Sequence, residues 1–188
     1  MLLKELVISD YTRYKSSKQF FHMFKIIFFS IGFKVALIYR ITNNLATKKY
    51  LLPFFLLFKY IQHRQKIRYG IHLPHKTTIG YGLLICHFGG IVISPKAVIG
   101  NNCNISHGVT IGKGGRGLNS GVPKIEDNVY IGPGATIIGN ITIGSNSAIG
   151  ANAVVSKDVP ENSTIISGKS MIVSYKGSFD FIHNKYTP

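Results

Sequence analysis

The 188-residue sequence predicts a mainly β chain: a parallel β-helix of six-residue units, preceded by an α-helical segment. Three observations predict it. Aliphatic residues recur at a spacing of six between residues 79 and 155. Eighteen of the 20 glycines lie beyond residue 70. The first seventy residues, nearly free of glycine, carry apolar side chains at helical spacing.

The repeat is the strongest signal. Ile93, Ile99, Ile105 and Ile111 lie six apart, and Ile125, Ile131, Ile137, Ile143, Ile149 and Val155 continue the spacing. Ile79 and Ile85 begin it. The following residue is often small, as at Gly80, Ser94, Gly100, Ser106, Gly132 and Gly150. A period of six is neither a helix nor an ordinary strand. It fits a short strand and a turn with one aliphatic side chain inward, three such units closing a triangular coil. Small residues suit the corners, where a large side chain would collide.

The helical segment comes first. Phe20–Leu45 has apolar residues at helical spacings, Asn43-Asn44 and Lys48-Lys49 mark a break, and a second helix spans about Leu51–Lys66, ending near Gly70. The expected division is a basic, apolar helical region over 1–70, a β-helix domain over 71–170 with a protruding loop at 112–124, and a tail over 171–188.

Composition narrows the function. Apolar residues make up 45%, and 22 Lys/Arg against 7 Asp/Glu give a net charge of +15. These values exclude disorder, collagen and a coiled coil. Two cysteines exclude a disulfide framework and a Cys-based zinc finger, and fit a reducing compartment. Residues 1–5 carry no signal-peptide pattern. Ile26–Phe33 and Leu51–Phe58 are strongly apolar but too short to span a bilayer. The expectation is a cytoplasmic protein, peripheral at the inner face of the membrane. The first seventy residues hold 13 of the 22 Lys/Arg. They read as a packing unit that assembles trimers and also touches anionic lipid. No nucleic-acid motif is present, and no nucleic-acid partner is expected.

Two interruptions break the six-residue register. Ile85 to Ile93 is eight residues, which places two extra around His87-Phe88-Gly89-Gly90. Ile111 to Ile125 is fourteen, which makes 112–124 an external loop. His87 follows Ile85 by two, and His107 follows Ile105 by two. Three hexads plus the bulge put them one coil apart at the same corner, about 4.8 Å between strands. Neutral imidazole suits proton abstraction near pH 7. The loop is not a P-loop, since no Gly-Lys-Ser/Thr follows a strand at the required spacing.

The hexads, the stretch Gly82-Leu83-Leu84-Ile85-Cys86-His87 and the run Pro123-Lys124-Ile125 resemble the left-handed β-helix acyltransferases. The likeness covers about residues 70–170. It is greatest to the serine acetyltransferase-like branch, which includes bacterial polysaccharide O-acetyltransferases. The resemblance implies a left-handed coil, a homotrimer, an active site between subunits, acetyl-CoA as co-substrate and direct attack on the thioester. It implies His87 as catalytic base. His107, its neighbour by register, is the second candidate site residue, and no metal is expected. His72 stands where the family sets an acid against the base.

Candidate acetyl-CoA contacts are Lys113 and Gly114 on the loop, Pro133, Gly134, Ala135 and Ala151 along the coil, and Lys157 and Lys169 for the phosphates. Candidate acceptor contacts are Cys86, Phe88 and Arg116. Cys103 is expected to be buried and structural. The family pattern for free serine has charged partners where this chain has Cys86, Gly121 and Val122. Burial of an unpaired charge is costly, so the expected acceptor is a sugar hydroxyl of a surface polysaccharide or its precursor. The alternative is serine O-acetyltransferase. A γ-type carbonic anhydrase would need a third histidine one coil on, and an ice-binding solenoid would need regular Thr ladders; the sequence has neither.

Overall fold

The computed structural model describes residues 1–14, 26, 28–114 and 120–168. Helices α1 (Leu3–Tyr14), α2 (Ile31–Ala46) and α3 (Leu52–Tyr69), with a short 3-10 turn at Lys49–Leu51, precede a left-handed parallel β-helix. Ser30 caps α2 by accepting the Phe33 N–H. Pro53 opens α3, and Gly70 ends it in the left-handed conformation at φ 63°. The single helix expected over Phe20–Leu45 is interrupted: residues 26, 28 and 29 are helical, Ser30 is extended and starts α2, and residues 20–25 and 27 lie outside the described set. α1 was not expected, because its apolar pattern is weak.

The coil has three faces of short parallel strands. The first face stacks β1 (Ile71–His72), β4 (Ile91–Ile93), β7 (Thr110–Gly112), β10 (Thr136–Ile138) and β13 (Val154–Val155). The second stacks β2 (Thr78–Ile79), β5 (Val98–Ile99), β8 (Lys124–Ile125) and β11 (Thr142–Ile143). The third stacks β3 (Leu84–Ile85), β6 (Asn104–Ile105), β9 (Tyr130–Ile131), β12 (Ala148–Ile149) and β14 (Thr164–Ile165). The β-helix read from the hexads is therefore the observed fold.

Register follows the hexads and their interruptions. Stacked partners are Ile93 and Ile111 where the hexads are unbroken. Ile85 lies under Ile105 across the His87–Gly90 bulge, and Ile111 under Ile137 across the long loop. Each coil thus absorbs its extra residues at a corner and leaves the inward columns intact. Ile93, Ile105, Ile111, Ile125, Ile131 and Ile149 are fully buried. The small residues two positions earlier, such as Ala97, Cys103 and Ala153, fill the interior near the corners.

The helices close the first coil. Gly32 lets α2 lie directly on β3, since a Cβ there would run into the Ile85 carbonyl oxygen. The Tyr14 hydroxyl accepts the Ile85 N–H at 2.8 Å and donates to its carbonyl at 3.2 Å, satisfying the edge of β3. Arg40, from α2, donates to the carbonyls of Ile79 and Gly80 and pairs with Asp10 from α1.

Candidate active site

His87 and His107 stand on one corner of the solenoid, at the exits of β3 and β6. Pairing of Leu84 with Asn104 and Ile85 with Ile105 places the two histidines in register. The rings meet edge to face, centroids 5.7 Å apart and planes at 80°. Both are exposed, and no hydrogen bond joins them among the described residues.

Glycine builds this corner. Gly90, Gly108 and Gly134 stack at φ 68°, 69° and 69°, with Asn152 above them at 56°. A Cβ on Gly90 would lie 3.2 Å from Gly108 Cα. The left-handed turn bends the chain just after each histidine and presents the imidazoles outward. The Gly108 N–H donates to the Gly89 carbonyl, and the Gly134 N–H to the His107 carbonyl, which ties each level to the next.

Cys86 and Phe88 flank His87 and are exposed. Burial pushes the Cys86 thiol up, and the nearby Arg13 guanidinium pulls it down. Arg13, at the end of α1, also donates to Asn104 Oδ1. It is a cation beside the histidine corner that sequence reasoning missed. No local signal could reveal it, since the contact joins residues 91 apart.

The acetyl-CoA candidates divide between two corners. Pro133, Gly134 and Ala151 lie on levels above the histidines. The Ala135 side chain is wholly buried in the core, so it can offer a ligand nothing but its backbone. Lys113, Gly114 and Lys157 lie at the opposite edge of the first face. Gly114 pairs with Gly121 at the base of the loop, and a Cβ on Gly114 would sit 2.9 Å from Gly139 N. Lys157 lines a cavity of about 340 Å³ with Ile138, Gly139, Asn140, Ile141, Ser156 and Asp158. Gly134 and Gly139 are five residue steps apart along the face that β10 builds, about 16 Å. One chain therefore does not bring the loop base to its own histidines. Arg116 and Lys169 lie outside the described residues.

His72 does not substitute for an acid beside His87. It lines a cavity against α3 with Lys59, Gln62, His63, Lys66 and His75. Burial first, and then Lys66, hold its imidazole below the ordinary range. No group of three or more His, Cys, Asp or Glu among the described residues is arranged to hold a metal ion.

Comparison with known proteins decides the family. Residues 123–157 match the family model described as bacterial transferase hexapeptide (six repeats). The serine acetyltransferase of Bacillus subtilis is 31% identical over 94% of this chain and 78% of its own length. The chain belongs to the hexapeptide-repeat acyltransferases of the serine acetyltransferase type. A second relative, the serine acetyltransferase of Synechococcus elongatus, is 32% identical over 78% of this chain and 58% of its own. The chain thus spans little more than half of that protein. Among solved structures, Neisseria gonorrhoeae serine acetyltransferase in complex with serine has a TM-score of 0.72 and 35% identity, covering 88% of this chain and 67% of that one. A serine acetyltransferase in complex with CoA has a TM-score of 0.69 and 29% identity, covering 86% and 66%.

These relatives overturn the glycan acceptor and the place in polysaccharide synthesis expected from the sequence: those named here are serine acetyltransferases. The expectation weighed charge only at Cys86, Gly121 and Val122. The fold brings Arg13 to the same corner from another element.

Proposed function

We propose that this chain is an acetyl-CoA-dependent serine O-acetyltransferase, with His87 as general base. The observation that carries the reading is the 94% coverage of the chain by its match to the Bacillus subtilis serine acetyltransferase, which takes in the two-histidine corner. An exposed imidazole on a rigid turn is suited to take a proton from a docked alcohol. The serine hydroxyl loses its proton to His87 as its oxygen attacks the thioester carbonyl. The tetrahedral centre then collapses, the C–S bond breaks, and the imidazolium returns the proton to the departing CoA sulfur. O-acetylserine and CoA leave.

His107 orients the acceptor or the base from 5.7 Å, and Arg13 is the cation available to the serine carboxylate. Lys113, Gly114 and Lys157 line the acetyl-CoA path. A trimer fits this division. Packed around a threefold axis, the loop edge of one chain faces the histidine corner of its neighbour and completes the site.

The test supplies purified protein with acetyl-CoA and L-serine and follows CoA release. Serine-dependent, saturable release with O-acetylserine as product is expected. Release no faster with serine than without it refutes the reading.

A further inference from the structure

We infer that the outward face of α3 is a docking surface for an anionic lipid bilayer. One side of α3 packs on α2 and β1. Its other side also carries apolar residues: Leu56, Leu57, Tyr60 and Ile67 are each more than half exposed. Their spacing of three, four and seven places them along one face. Tyr50, Leu52 and Phe54 extend the apolar surface to the α2–α3 turn and are equally exposed. A helix apolar on both sides needs a partner on the side its own chain leaves bare.

Charge identifies the partner. Lys59, Arg64, Lys66 and Arg68 flank this face and are exposed, as is Lys49 at the turn. The helix contains no acid, and neither does any position from 11 to 125, which holds 17 Lys/Arg. A second copy would bring the same cations against these. An anionic bilayer answers both demands, taking apolar side chains below the headgroups and lysines among the phosphates. The turn adds a cavity of about 290 Å³ lined by Leu45, Ala46, Leu52 and Phe55, with Lys48 and Lys49 at its rim. No described helix is long and apolar enough to cross a membrane, so the helix lies at the surface.

The experiment floats the 188-residue chain with vesicles of phosphatidylcholine alone or mixed with phosphatidylglycerol. Binding to the mixed vesicles only, falling as salt rises, is expected. Leu56→Glu with Tyr60→Glu should abolish it. Lys49→Gln with Lys59→Gln, which remove exposed charges and leave the apolar side chains in place, should weaken it roughly fivefold per cation. Equal affinity for neutral vesicles, no binding to either, or unchanged binding in both variants would overturn the proposal. So would a drop in sedimenting mass on Leu56→Glu, which would assign the face to a second copy. Binding of duplex DNA, lost on Lys59→Gln but not on Leu56→Glu, would assign the charge to nucleic acid and also overturn it.

Discussion

Arg40 grips Asp10 with two prongs, Nε to Oδ2 at 2.8 Å and Nη2 to Oδ1 at 3.0 Å, with both side chains almost fully buried. Asp10 also accepts the Leu83 N–H at 2.7 Å, and Arg40 donates to Ile79 and Gly80 carbonyls. The pair thus fastens α1 and α2 to the first coil, within a few residues of the histidine corner. Asp10→Ala leaves a guanidinium buried without its counter-charge, so it should destabilise the fold by about 3–5 kcal/mol. Adding Arg40→Met removes the orphaned charge and should recover part of that loss. Urea unfolding of the two variants measures the difference; equal losses would contradict the pairing.

The two thiols differ in exposure, although burial raises both above the ordinary value. Cys86 is exposed, whereas Cys103 is buried and donates to the Glu126 carbonyl at 3.2 Å. Burial pushes the Cys103 thiol up to about 11, so little thiolate exists near neutral pH. One fast-reacting thiol is expected in the native protein and two in denaturant. Acetyl-CoA should slow the fast one, since Cys86 adjoins His87. A Cys86→Ser variant that still labels rapidly would refute the assignment.

The same property predicts a loss of stability in alkali. Tyr39 is buried, donates to the Thr77 carbonyl at 2.6 Å and has its phenol pushed up to about 12, chiefly by burial. Both Tyr39 and Cys103 titrate higher in the folded than in the unfolded chain. Above the ordinary values, 10.0 for the phenol and 9.0 for the thiol, the unfolded state loses protons first. Folding is therefore fully supported below about pH 9, and that support drains away as pH rises towards 12. Tyr39 alone accounts for roughly 2–3 kcal/mol across that window. Urea midpoints at pH 8 and pH 11 should fall less steeply for Tyr39→Phe, which has no proton to lose. A parallel fall would remove Tyr39 as a cause.

What could be read in the sequence was what repeats. Six-residue spacing gives the inward columns from Ile79 to Val155, and the breaks near His87 and at 112–124 mark the corners where the coil spends its extra residues. The nearness of His87 and His107 followed from register alone, because parallel stacking has no freedom to slip once isoleucines fill a narrow core. Contacts between the helices and the coil do not repeat. Tyr14 on Ile85, Arg40 on Asp10 and Arg13 beside Cys86 depend on how a helix settles on the first coil, which no local spacing encodes. The acceptor expected from the sequence was overturned by the relatives and not by any local spacing.

The two histidines should separate in kinetics. His87 adjoins the bulge and follows the exposed Cys86, while His107 is one level up, edge to face with it at 5.7 Å. If His87 takes the hydroxyl proton, His87→Ala should lower kcat by ~10²–10⁴ with the KM for acetyl-CoA little changed. If His107 holds or orients serine, His107→Ala should act mainly on the KM for serine. Neither substitution touches the core, because both side chains are exposed. Melting temperatures should therefore match the parent chain, which separates lost chemistry from lost fold. A His87→Ala enzyme that turns over at near-normal rate with both substrates saturating would move the base elsewhere. The converse pattern, with kcat falling only on His107→Ala, would exchange the two roles.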